Sequence, residues 1–365
     1  MKILYLADGQ SVHTVRELES YKKLNHDIHL ITYNKTPLNG ITIHYVPNKK
    51  LFIPLRVLKT LWLIRKIKPD IIHTYYLANN GLIASLSGKH PLIHTIMGSD
   101  IITFPEINII FRLLIKYALN TSDIVHVSDE TSKNRVLELG CNKDRVFVQE
   151  WSVDLSKFSP KAMDNLKHIY NVQYLVLCTA WWKPDCFVDI LIKAIPLITR
   201  EISSIKFILL GGGPEEGKLK DLAEELNVKH YIEFIGRVPE DEMPKYLASS
   251  DLVVDTITNY TFFRGRLFKR TQGFGLGQAN RQALACGTPV LATNNIIGEK
   301  ADSCALFHYK QFDHEDLANK LVAIISNNNL IHLERELARD YATQNFDENK
   351  NFNNWNNIYM KLVTK

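Results

Sequence analysis

Short apolar runs rich in β-branched residues alternate with longer amphipathic stretches along this chain, and the alternation begins afresh halfway through. In the first half the runs are ILYLAD, DIHLITY, DIIHTYY, LIHTIMG, DIVHVSD and RVFVQEW, with helical spacing over residues 11–24, 54–67 and 130–139. The polar stretch DLSKFSPKAMDNL interrupts the cycle. It resumes with YLVLCTA, IKFILLGGG, YIEFIG, DLVVDTI and PVLATN, and helices are expected over 189–200, 215–226 and 278–285. Strands that are apolar on both faces and return through helices form parallel sheets covered on both sides. The expected fold is α/β: two doubly wound parallel-sheet, Rossmann-like domains facing across a cleft, with ligands beyond the strand C-termini. The domains read as 1–157 and 158–345. Residues 346–365 read as a C-terminal helix packing back on the first domain through Phe346, Phe352, Trp355, Ile358, Tyr359 and Leu362.

Composition narrows the class. A chain of 365 residues, 45% hydrophobic and 23% charged, has enough apolar residues for two ordinary cores. Its five cysteines lie far apart with no C-x-x-C pair, so reduced, structural thiols and no metal site are expected. The opening MKILYLADG enters a strand and is too short for a signal peptide, and no apolar run is long enough to span a bilayer. A cytoplasmic protein is expected. The net charge of +5 lacks the dense basic patch of a nucleic-acid binder. One segment, NKKLFIPLRVLKTLWLIRKIKPD, is both amphipathic and basic, and FPEINIIFRLLIKYALN repeats the theme more weakly. Such a helix either faces the core with a solvated basic side or lies on an anionic membrane, here the inner face of the cell membrane.

The stretch FGLGQANRQALACGTPV, Phe274 to Val290, carries the chemistry. Gly273, Gly275 and Gly277 allow close approach of backbone to a ligand, and a helix starting at Gln278 turns its first amides toward an anion.

Several motifs in order share a pattern. They are MKILYLADGQSVHTVRELESYKKLNHDIHLIT, PDIIHTYYLANNGLIASLSGKHPLIHTIMGSD, LGCNKDRVFVQEWSVDLSKFSP, IKFILLGGGPEEGKLKDLAEEL and YIEFIGRVPEDEMPKYLASSDLVV. Together they resemble the GT-B glycosyltransferases, specifically the large retaining family four, over nearly the entire chain. The resemblance implies transfer of a sugar from a nucleoside diphosphate sugar with retention of anomeric configuration and no required cofactor or metal. It also implies a diphosphate held by a helix N-terminus, an Arg and a Lys, and sugar and ribose hydroxyls held by two Glu in E-x7-E.

Carried over residue by residue, the match is uneven. The two Glu positions hold Phe274 and Gln282, and Gln282 keeps an amide for a ribose hydroxyl. Ala180 and Cys186 stand at the Arg and Lys positions, with Lys183 between them. Compensating cations are sought at Arg264 and Arg266, in a loop that otherwise reads as solvated or as a membrane or acceptor contact, and at Arg281, which either faces the ligand or points elsewhere. Leu276, Gly277 and Gln278 complete the donor turn. In the first domain Gly9 is a diphosphate-loop glycine or an ordinary turn glycine, with Gln10 beside it. The candidate catalytic residues are His73, Asp100 and Glu299; each has a bland alternative, as a capping histidine, a helix N-cap and a surface carboxylate.

The function expected is sugar transfer from a nucleotide-activated donor to a glycan or lipid-linked acceptor, in polysaccharide, glycolipid or glycoprotein glycan synthesis. The alternative is a degenerate relative that binds a nucleotide, a glycan or a partner subunit without turnover.

Overall fold

Every apolar run of the sequence is a strand in the computed structural model, which describes residues 1–22, 26–36, 38–258, 260–263, 266–269, 276–294 and 305–364. The first unit holds β1 (Lys2–Leu6), β2 (Asp27–Thr32), β3 (Thr42–Tyr45), β4 (Ile71–Tyr75), β5 (Leu92–Thr95), β6 (Ile124–Val127) and β7 (Val146–Val148). They form one parallel sheet in the order β3-β2-β1-β4-β5-β6-β7. The second unit holds β8 (Tyr174–Cys178), β9 (Ile205–Leu210), β10 (Ile232–Gly236) and β11 (Leu252–Val254). A small antiparallel hairpin follows, β12 (Tyr260–Phe263) with β13 (Arg266–Lys269), and then β14 (Val290–Thr293) and β15 (Leu306–Tyr309). Its parallel sheet runs β10-β9-β8-β11-β14-β15. Both sheets step outward from their first strand and then reverse, so each has a switch point, β1/β4 and β8/β11, where ligands of such folds bind.

The first unit comprises residues 1–150 and 349–365, the second residues 151–348. Residues 151–157, read from the sequence as the end of the first domain, thus belong to the second. Val153 and Phe158 lie in its core, and the Arg339 guanidinium donates to the carbonyls of Leu155 (3.0 Å) and Phe158 (2.8 Å). Phe346, fully buried, is likewise in the second core, and the Val153 N–H donates to its carbonyl at 2.8 Å.

The last helix, Glu348–Val363, buries Trp355 and Tyr359 against the first sheet despite its many asparagines. Two of these serve the docking: Asn351 Nδ2 donates to the Glu150 carbonyl at 2.8 Å and Asn354 Nδ2 to Gln149 Oε1 at 3.0 Å.

Tyr359 enters a chain of buried hydrogen bonds that crosses the sheet. Its hydroxyl lies 2.9 Å from Tyr5 Oη and 2.7 Å from His73 Nδ1. His73 Nε2 is 2.7 Å from Thr95 Oγ1, which is 3.1 Å from His126 Nδ1, and His126 Nε2 donates to the Gln149 carbonyl at 2.8 Å. Burial lowers the pKa of both histidines, His126 to about 4, so both rings are neutral at pH 7. The direction of every proton follows. His126 Nε2 carries the hydrogen, so Nδ1 accepts from Thr95; Thr95 then accepts from His73 Nε2, His73 Nδ1 from Tyr359, and Tyr359 from Tyr5.

Candidate functional site

The loops at the C-terminal edges of the two sheets hold most of the residues singled out by the sequence, and the structure gives several of them duties inside their own unit. In the first unit the turn after β1 is tied to the strand beside it. Gly9 N donates to Thr32 Oγ1 at 2.9 Å, and a Cβ at Gly9 would fall 2.8 Å from Thr36 Cβ. Its smallness therefore serves contact with Thr36, and its amide is engaged. Gln10 is exposed, and its N–H donates to Asp8 Oδ1 at 3.0 Å. Asn34 Nδ2 reaches the same oxygen at 3.0 Å, and Asn48 Nδ2 donates to Asn34 Oδ1 at 2.8 Å. Across the switch point the buried Tyr75 hydroxyl donates to Glu17.

His73 is not a surface residue beyond its strand. It lies within β4, wholly buried, with both ring nitrogens engaged as above, so its side chain acts on Tyr359 and Thr95. Asp100 is wholly buried as well. Its carboxylate accepts from Leu77 N at 2.9 Å and Met97 N at 3.2 Å, bracing the loop after β4 against the loop after β5. Gly98, at φ +100, is the N-cap of the short helix Ser99–Ile102 and supplies the left-handed turn that brings Asp100 beneath both loops. Burial pushes the Asp100 pKa up to about 6 against the pull of these N–H donors.

In the second unit the helix Gln278–Ala285 begins at exposed Gly277 without a side-chain cap. Its N-terminus is held by residues the motif reading missed. Asn280 Nδ2 donates to buried Asp255 Oδ2 at 2.5 Å, and Asp255 Oδ1 accepts from Ile257 N at 2.9 Å. Thr256 Oγ1 donates to the Cys186 carbonyl at 2.5 Å, joining the end of β11 to the loop after β8. An acidic residue closing the run DLVVD and an Asn in the first helical turn were the available signal.

Arg281 turns inward: it is 2% exposed, and its Cζ lies 5.8 Å from the Phe346 ring. Of the two directions the sequence left open for Arg281, this is the inward one. Gln282 is 5% exposed and Leu276, 8% exposed, packs in the second core. Gln278 turns back on the chain, its Nε2 donating to the Ser152 carbonyl at 3.1 Å. Lys183 is exposed in the loop after β8, its Nζ 4.6 Å from the centroid of Trp181. Arg237, which the sequence reading passed over, stands on the same ring with Cζ at 4.3 Å. Arg266 pairs with Phe263 in the hairpin backbone. Arg264, Phe274, Gly275 and Glu299 lie outside the described residues. Among the described residues no His, Cys, Asp and Glu group could hold a metal ion.

Comparison with known proteins agrees with this architecture. Residues 2–129 match the family model described as glycosyl transferase 4-like, and residues 169–344 the model described as glycosyl transferases group 1. The chain is 24% identical over 314 residues to the N-acetyl-alpha-D-glucosaminyl L-malate synthase of Bacillus anthracis, covering 80% of this chain and 75% of that one. It is 28% identical over 149 residues to the GDP-mannose-dependent alpha-(1-6)-phosphatidylinositol monomannoside mannosyltransferase of Mycolicibacterium smegmatis, covering 38% and 36%. Anabaena HepE, solved in complex with UDP, superposes with a TM-score of 0.77 at 19% identity, over 95% of this chain and 96% of that one.

Proposed function

The chain belongs to the group 1 glycosyltransferases, built on the GT-B fold, and on that premise we propose that it moves a sugar from a nucleoside diphosphate donor to a glycan or lipid-linked acceptor. The observation that carries this reading is the uncapped start of the helix Gln278–Ala285, braced by Asp255 and Asn280 at the C-terminal edge of the second sheet. The first amides of a helix and its macrodipole hold an anionic leaving group without a metal, and fixed dipoles stabilise charge as it develops. Retention of configuration is part of the proposal and rests on the family resemblance. The name of the Bacillus relative supports transfer of an N-acetylhexosamine class of sugar, and that of the mycobacterial one a lipid acceptor.

The acceptor side of the proposal includes a membrane. The helix Ile53–Ile67 exposes Leu55, Leu58 and Trp62, and the helix Ile109–Thr121 exposes Ile109, Ile110 and Leu113. Each of these side chains is at least half exposed, which core packing does not explain. The short helix Leu82–Ser85 lies between the two and touches both. Right-handed crossovers from β3 to β4, β4 to β5 and β5 to β6 put all three on one face of the sheet. Lys59, Arg65, Lys66, Arg112 and Lys116 lie beside the apolar residues along these helices, which suits an anionic lipid surface at the inner face of the cell membrane. No helix among the described residues is long and apolar enough to cross a membrane.

A second reading, binding without turnover, is favoured by one observation: Gln282, at the second Glu position, is buried, and Ala180 and Cys186 offer no cation. Incubation with a panel of nucleotide sugars and membrane extract, following nucleotide release, separates the two. Consumption of one donor upholds catalysis, and the anomeric configuration of the product by NMR then tests retention. A thermal shift with UDP or GDP and no turnover supports the binding protein; ligand at a hundred times its Kd stabilises by about 2.7 kcal/mol.

A further inference from the structure

Three loops meet at the C-terminal edge of the second sheet, those after β8, β9 and β10, which are neighbours in it. Their contact is close because glycines allow it. A Cβ at Gly211 would fall 2.3 Å from the Ala180 carbonyl oxygen, and one at Gly213 2.3 Å from that of Trp182. The Gly211 N–H donates to the Gly236 carbonyl at 2.8 Å, Trp182 N to the Gly212 carbonyl at 3.2 Å and Glu215 N to the Trp182 carbonyl at 3.1 Å. Trp182, 1% exposed, anchors the first loop in the core, while its neighbour Trp181 stands out 49% exposed.

On this outward indole sit two cations. Lys183 Nζ is 4.6 Å and Arg237 Cζ 4.3 Å from its centroid, and the Arg237 side chain also lies along Gly212, whose Cβ would be 3.3 Å from Arg237 Cγ. Among the described residues neither cation forms an ion pair, whereas the other lysines of this edge do: Lys218 is 2.8 Å from Glu215 and Lys193 2.7 Å from Asp189. Two like charges drawn to one ring and left without a carboxylate repel each other, and a bound anion relieves that repulsion.

We propose that Lys183 and Arg237, presented by Trp181, form a diphosphate-binding pair that stands in for the basic side chains absent at Ala180 and Cys186. The proposal rests on the donor reading given above and adds the residues that hold the charge. The Arg237 guanidinium offers two parallel N–H donors to one phosphate, and Lys183 offers a point charge to the same group or the next. The loop after β8 borders the switch point between β8 and β11, and the same stretch after β11 ties the two parts together. Asp255 holds the first turn of the helix Gln278–Ala285 through Asn280, and Thr256 holds the loop after β8 through the Cys186 carbonyl. The indole holds both heads in position before a ligand arrives.

The test is calorimetric titration of the full chain with UDP, GDP, uridine, guanosine and inorganic pyrophosphate. It is run on the natural sequence, Lys183→Ala, Arg237→Ala, the double variant and Arg237→Lys. Both side chains are exposed, so the variants keep the fold, which circular dichroism checks. Each Ala variant is expected to weaken nucleoside diphosphate binding by about tenfold. Nucleoside binding should stay unchanged, and Arg237→Lys should recover part of the loss. Nucleoside diphosphate affinity unchanged in the double variant overturns the pair and leaves the donor reading standing. Pyrophosphate binding that the double variant loses, with no nucleotide bound by the natural sequence, upholds the pair and sinks the donor reading. Binding of neither overturns both.

Discussion

Asp100 shows how a residue at a motif position acquires its role from burial. Its two oxygens take backbone N–H donors from two loops, and an amide in its place has one oxygen for both and turns its own N–H groups against a donor. Asp100→Asn is expected to destabilise the protein by about 1–3 kcal/mol, read from chemical denaturation. The pH dependence follows from the same burial. Burial lowers the pKa of His94 to about 3 and of His126 to about 4, and puts that of His73 well below its usual value. Histidines held neutral in the fold and protonated when unfolded cost stability as pH falls below about 6.5 and on through the folded values. Asp100, raised to about 6, acts the other way, its contribution being lost as pH rises from its unfolded value through 6. Asp255 and Glu334, also raised by burial, act with Asp100, while His44, lowered by burial, acts with the other histidines. The four histidines outweigh the three carboxyl groups, so the melting temperature should fall between pH 7 and pH 4, and His94→Gln should flatten that fall. Little of this was legible locally. The strand containing His73 could be read from its apolar neighbours, but the hydroxyl that engages it belongs to a residue 286 positions later.

Among the elements, those buried on both faces were readable because their neighbours in sequence are apolar without interruption. β3 was not read, since its residues are exposed or half-buried at the sheet edge, and neither were β15 and the hairpin of β12 and β13. The helix from Gln278 to Ala285 matched its expected bounds, yet the direction of Arg281 was open, because residues 280–285 are buried all round and periodicity then picks no face. Directionality within the chain of buried hydrogen bonds makes a sharper prediction. Thr95→Val removes an acceptor from His73 and a donor from His126 at once, and should cost about 2–5 kcal/mol. Tyr5→Phe removes only the first donor, leaves Tyr359 still donating to His73, and should cost about 0.5–1.5 kcal/mol. Denaturant midpoints of the two variants, measured side by side, test the order; equal losses would contradict the assigned direction.

At the scale of the whole molecule, two doubly wound parallel sheets were legible from the repeated cycle, while the strand order that sets their switch points and the division at Glu150 were not, the latter because a polar stretch marked the boundary too late. The exposed apolar face of the first unit belongs to this scale, since it is assembled from three crossover helices. Leu58→Glu together with Leu113→Glu should reduce flotation with anionic liposomes at unchanged melting temperature, because both side chains already face outward. Retention on vesicles equal to that of the natural sequence would remove the membrane from the proposal. The return of the last helix to the first sheet bears on how the molecule is made. Synthesis runs from the N-terminus, so the ring of Tyr359 reaches His73 only after the second unit has been translated in full. The earlier-made sheet must wait, with an aromatic-lined seam open, for the later-made one to be finished.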